Sequence, residues 1–216
     1  MERRTKPDLA VSVGEQDHAR GAATAPVTLV EYGDYECPYT QKALPVVEAL
    51  EHEFGGRLRF VFRHFPRTAI HRYAQHAAEA AEAAHAQGHF WEMHRHLLEP
   101  QWNLDQPSLV HYAMELGLDP NTFERALRNR SFSSVVAEDL LTAVASGVET
   151  TPSFFINGMR HSGDFDLATM CAALLQAEEQ ARQGASRPPH SALERHTVRA
   201  SGDVFELLRQ PDAGKI

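Results

Sequence analysis

Cys37 lies in the run Val27-Thr-Leu-Val-Glu-Tyr-Gly-Asp-Tyr-Glu-Cys-Pro-Tyr-Thr40, where an apolar, β-branched stretch gives way to helical patterning. Pro38 suits the first turn of a helix, where its missing N–H costs nothing, so Cys37 is placed at a helix mouth. There a thiol faces unpaired backbone N–H groups and the positive end of the helix dipole, which favour thiolate over thiol. Such positions bring a cysteine pKa from about 8.5 into roughly the 3.5–7.5 range. The chemistry on offer is nucleophilic thiol–disulfide exchange. Thr40, one helical turn further on, carries a hydroxyl that could donate a hydrogen bond to the thiolate. Tyr39 should be exposed and could form part of a substrate or thiol-binding surface. Glu36 is expected either to disfavour the thiolate by like-charge repulsion or to point to solvent.

The elements that must position this thiol can be read from periodicity and turn chemistry. Residues 27–31 read as a buried strand. A helix starts at Cys37, with Ala43, Leu44, Val47, Leu50 and Phe54 on one face, a kink expected at Pro45, and Gly55-Gly56 as its end. Residues 58–62 alternate as a second strand. From about 73 to 146 the chain reads as helical throughout, with pieces at 74–86, 90–98, 107–116, 120–128 and 135–145. Strand character returns at 153–156, Asn157-Gly158 is a hairpin turn, and 159–161 is the return strand. Residues 165–183 form the last helix. Beyond Gly184 the run Ser186-Arg-Pro-Pro189 breaks the pattern, leaving a tail with a short helix at 204–209.

Composition bounds the function classes. The chain has 216 residues, enough for one domain with an insertion, and 43% hydrophobic residues, ordinary for a globular protein. A formal net charge of −8 argues against a nucleic-acid surface. No run approaches a membrane span, and the basic N-terminus leads into no apolar stretch of signal-peptide length. With two cysteines and no export signal, a reducing cytoplasm is the expected compartment.

Four pieces of the sequence, taken in order, resemble the DsbA family of thioredoxin-fold proteins. They are Ala25-Pro-Val-Thr-Leu-Val-Glu-Tyr-Gly-Asp-Tyr-Glu-Cys-Pro-Tyr39, Arg63-His-Phe-Pro66, Gly88-His-Phe-Trp-Glu-Met-His94 and Gly147-Val-Glu-Thr-Thr-Pro-Ser-Phe-Phe-Ile-Asn-Gly158. The resemblance implies an α/β thioredoxin fold with a central mixed sheet and an all-helical insertion at about 67–146. It places a single domain at 25–183, a leader at 1–24 and a tail at 184–216. It also implies a cis Thr151-Pro152 bond that sets the residue-151 backbone beside Cys37 as a ledge for a substrate strand. Pro38, Tyr39, Thr151 and Pro152 are then the substrate-binding residues, and Cys37 and Thr40 the catalytic ones.

Thr40 is the departure from that family, which keeps a second cysteine there. A two-cysteine oxidase resolves mixed disulfides with its second thiol, and Thr40 cannot. Single-thiol exchange remains available. Cys171, flanked by Met170, Ala172, Ala173 and Leu174, reads as a small buried apolar residue rather than a replacement partner. Thirteen histidines invite a metal hypothesis. However, Gly88 interrupts the His85/His89 pair, and His94 and His96 diverge by about 200° on a helix, so no metal site is expected. Arg63 and His64 could supply charge near the site edge or serve structure.

The resulting expectation is a monothiol thiol–disulfide oxidoreductase. Its partners are protein or small-molecule disulfides, with glutathione or another low-molecular-weight thiol as co-substrate and no cofactor, nucleic acid or membrane partner. The alternatives are a glutathione-dependent transferase or isomerase of the kappa-class type, in which a hydroxyl near the helix start activates bound glutathione, and a non-catalytic binding module.

Overall fold

The computed structural model describes residues 8–99 and 103–185. The N-terminal residues 1–7, and the tail beyond 185 with its expected helix at 204–209, lie outside the described residues. Among the described residues the order begins β1 (His18–Arg20), β2 (Val27–Gly33), α1 (Pro38–Phe54), a 3-10 turn (Gly55–Arg57) and β3 (Leu58–His64). It continues α2 (Ala74–His85), α3 (Phe90–Leu97), α4 (Gln106–Glu115), α5 (Pro120–Arg128) and α6 (Ser133–Ala145). It closes with β4 (Ser153–Ile156), β5 (Met159–Arg160) and α7 (Leu167–Ala185).

The strands form one mixed sheet in the order β1-β3-β2-β4-β5. β2 and β3 run parallel, in register from Val27 opposite Leu58 to Gly33 opposite His64, with α1 as the crossover between them. β4 lies antiparallel on the other side of β2, and β5 returns from it through Asn157 and Gly158. Both turn residues have positive φ (48° and 82°), as a two-residue hairpin turn requires. This is the βαβ and ββα arrangement of a thioredoxin fold, with α2–α6 inserted between the halves.

Period-two alternation sends the residues of each strand to opposite faces. Val27, Leu29, Phe60, Phe62, Phe154 and Ile156 join α1, α7 and the inserted helices in one large core. Val30, Tyr32, Val61 and Phe155 pack on the other face against Ala143, Val148, Leu9 and Phe65. Burying a side chain of the Leu or Phe class contributes about 1.5–3 kcal/mol. The alanine-rich α2 is buried almost all round, and its small side chains let neighbouring helices approach closely.

One expectation about the fold gives way to the observed structure. The stretch expected as a leader contains β1, which pairs antiparallel with β3, and Leu9, whose N–H donates to the Gly158 carbonyl at 3.0 Å. Polar residues and the 21–26 linker masked that short edge strand. Pro45 lies inside α1, which runs as one helix from Pro38 to Phe54.

Candidate functional site

Cys37 is the N-cap of α1, with extended backbone (φ −80°, ψ 119°), and Pro38 comes next in the first turn. Its backbone N–H donates to the Asp34 carbonyl at 3.0 Å, closing a tight turn out of the central strand β2. Gly33 makes the turn possible. A Cβ there would sit 2.4 Å from the Phe62 ring and 3.0 Å from Thr40 Cγ2.

Asp34 organises the cysteine turn and the loop packed beside it. Its Oδ1 accepts from Glu36 N–H at 2.9 Å. Its Oδ2 accepts from Arg67 N–H at 2.8 Å and lies 2.7 Å from His71 Nδ1. Glu36 points neither to solvent nor at the thiol: its Oε2 accepts from the Tyr73 N–H at 2.5 Å, at the head of α2. The loop between β3 and α2 is therefore strapped to the cysteine turn by two carboxylates.

Tyr35 turns inward, and its hydroxyl lies 3.0 Å from His94 Nδ1 on α3. Burial, with positive charge from Arg20, His64 and His18, holds the His94 imidazole well below its usual pKa, so it stays neutral. Burial and the carboxylates of Glu82, Glu31 and Asp139 push the Tyr35 phenol well up. Both groups therefore stay neutral, joined by one hydrogen bond.

Cys37 is 4% exposed, and its thiol donates to the Thr151 carbonyl oxygen at 3.3 Å. The Thr151-Pro152 bond is cis. Ser153 Oγ donates to the Thr150 carbonyl at 2.7 Å and braces the same loop just before β4. Pro38 and Tyr39 form an exposed shoulder, Tyr39 at 59% exposure with Lys42 Nζ 5.3 Å from its ring. The backbone of residue 151 thus lies beside the thiol, next to a surface where an extended substrate could approach.

Thr40 is placed differently from expectation. Its side chain is fully buried (0% exposed), and its Oγ1 accepts from the Asp34 N–H at 3.3 Å. Among the described residues it makes no hydrogen bond to the Cys37 sulfur. Cys171 on α7 is also a free thiol, half-buried and packed against the main core.

Sequence reasoning missed three residues of this neighbourhood. Asp34 and Tyr35 hold the turn, and their partners come from 30 to 60 positions away, beyond any local pattern. Glu31 is buried on β2 six positions before Cys37, and burial pushes its carboxyl up to about 8. Its Oε1 has no hydrogen-bond partner among the described residues. A lone charge in an otherwise apolar central strand was the available signal. Arg63 and His64 are both buried, and Arg63 is committed to structure: it binds Asp17, Tyr32 and the Val11 carbonyl.

A family model described as Thioredoxin matches residues 14–176. A curated relative, the "Na(+)/H(+) antiporter NhaA 3" of Salinispora tropica, is 45% identical over 187 residues, covering 85% of this chain but only 28% of its own length. No helix among the described residues is long and apolar enough to cross a membrane. Among solved structures, a thioredoxin-like oxidoreductase from Silicibacter pomeroyi superposes with a TM-score of 0.67 at 26% identity, covering 79% of this chain and 94% of that one. Wolbachia pipientis alpha-DsbA1 gives 0.70 at 18% identity, covering 83% and 100%. With the sheet order, the inserted helices and the Cys37 turn in place, these matches show that the chain belongs to the thioredoxin family and has the DsbA-like form of its fold.

Proposed function

We propose that this protein performs thiol–disulfide exchange through Cys37 alone. The Cys37 thiolate attacks one sulfur of a substrate disulfide, a new S–S bond forms as the old one breaks, and the other substrate sulfur leaves as a thiolate that takes up a proton. A second thiol of the glutathione class then attacks the mixed disulfide and releases Cys37. Electrons balance, because one disulfide is consumed and one is produced. The observation that carries this reading is the Cys37 sulfur at the head of α1, 3.3 Å from the Thr151 carbonyl, with a threonine at residue 40.

An extended substrate would lie along the Thr151 backbone, with Tyr39 and Pro38 flanking it. The resolving thiol suits a reducing compartment. The kappa-type alternative would need an accessible hydroxyl, and Thr40 is fully buried with its oxygen engaged by Asp34. Ion transport is not proposed for this chain, which spans 28% of the antiporter relative's length.

The test is reduction of a peptide–glutathione mixed disulfide in the presence of glutathione. Cys37→Ser should abolish turnover and Cys171→Ser should leave it near wild type. Turnover that survives Cys37→Ser would overturn the proposal.

A further inference from the structure

Behind the cysteine turn, three side chains from separate elements converge on one point. His18 Nε2 on β1 lies 2.6 Å from Glu82 Oε1 on α2. His64 Nε2, at the end of β3, lies 2.7 Å from the same oxygen. The three candidate ligand atoms all fall within 4.8 Å of one another. His64 and Glu82 are buried, and His18 is nearly so.

Each imidazole is held in place. The His18 ring stacks on Phe90 with centroids 3.5 Å apart, and the His64 ring meets the Phe62 ring edge-on at 5.6 Å. The surrounding charge favours a cation. Asp139 adds a second carboxylate, which accepts from the His64 backbone N–H at 2.8 Å. The neighbouring guanidinium groups are already engaged, Arg63 with Asp17 and Arg20 with Glu51. A metal at His64 Nε2 takes the place of the proton that joins this ring to Glu82, and the ring proton then sits on Nδ1, which is buried without a partner among the described residues.

Two imidazoles and one carboxylate are the donor set of zinc sites that keep an open fourth position. There is also a way in. A surface cavity is lined by His18, His85, Phe90 and Trp91. His85 lies one turn of α2 beyond Glu82, is exposed, and its ring centroid lies 4.6 Å from that of His18.

We propose that His18, His64 and Glu82 form a binding site for a divalent transition-metal ion, with the remaining position open to His85 or water. Such an ion ties the edge strand β1 to the inserted helices. It also sits close to the thiol machinery, since the His64 ring is 5.8 Å from that of Tyr35, two residues before Cys37. The site was invisible to a search for helically spaced histidines because its ligands come from residues 18, 64 and 82.

The test uses the full chain carrying Cys37→Ser and Cys171→Ser, so that no thiol can bind metal. After chelator treatment it is titrated with Zn²⁺ in competition with a chromophoric chelator. One zinc per chain is expected, with affinity at least about tenfold weaker in His18→Ala and in Glu82→Gln. Zinc should raise the melting temperature of the parent and not of His18→Ala. If Glu82→Gln fails to fold, His18→Ala on the edge strand decides, together with Co²⁺, which should give tetrahedral d–d bands. No binding in the cysteine-free chain would overturn the proposal. So would binding that survives His18→Ala but is lost in His111→Ala, which would assign the metal to the surface pair of His96 and His111 around Glu115.

Discussion

The Thr40 hydroxyl accepts a hydrogen bond from the Asp34 N–H at 3.3 Å, so the side chain standing where a second thiol is expected secures the cysteine turn instead. Its methyl group packs in the space left by Gly33. The turn that presents Cys37 is thereby held from below by a group with no redox chemistry.

Thr40→Cys restores the pair at the head of α1 and should convert the protein into a dithiol enzyme. Under mild oxidant it should form a Cys37 disulfide within the chain and gain reductase turnover with a dithiol reductant. The reduced variant should lose about 1 kcal/mol of stability, because Asp34 N–H loses a good acceptor. Free-thiol counts and denaturant unfolding report both effects, and two free thiols after oxidation would show that the turn does not have this geometry.

Asp34 carries more of the turn than Cys37 does. Asp34→Ala leaves the partly buried N–H groups of Glu36 and Arg67 without their acceptor and releases His71. Unmade buried hydrogen bonds cost about 1–3 kcal/mol each, so a loss of roughly 3 kcal/mol is expected in urea unfolding. Asp34→Asn keeps one oxygen and should lose less. A stability within about 0.5 kcal/mol of wild type in Asp34→Ala would contradict this assignment.

Glu31 gives the protein a pH signature. Burial raises its carboxyl from an ordinary 4.5 to about 8, so between those values the folded state holds a proton the unfolded state has released. Its contribution is full below about pH 4.5 and is lost as pH rises toward 8, at up to about 1.4 kcal/mol per unit. Glu31→Gln stays neutral, so its stability relative to wild type should grow steadily from pH 5 to 8. A pH-independent difference between the two would exclude a buried neutral carboxyl at this position.

The legible parts of the structure were those specified by local pattern. β4 at Ser153–Ile156 and α5 at Pro120–Arg128 fall where strand character and the proline at the helix head place them. The Cys37 turn was legible because strand, proline and helix succeed one another directly. What escaped depends on contacts across the fold. Thr40 has its hydroxyl turned to Asp34 by the path of the turn, which helical spacing to Cys37 does not encode. β1 has three residues and no apolar run, and exists because the β3 edge needs a partner. Glu31 is a lone charge in an apolar strand, but its burial follows only from both faces of the sheet being covered.

The most direct measurement is mass spectrometry of the wild-type chain after brief exposure to oxidised glutathione, with peptide mapping of both cysteines. Exchange through a lone nucleophile predicts a single glutathione adduct on Cys37 that reduced glutathione removes, and no internal disulfide. A Cys37–Cys171 disulfide, or an adduct confined to Cys171, would contradict it.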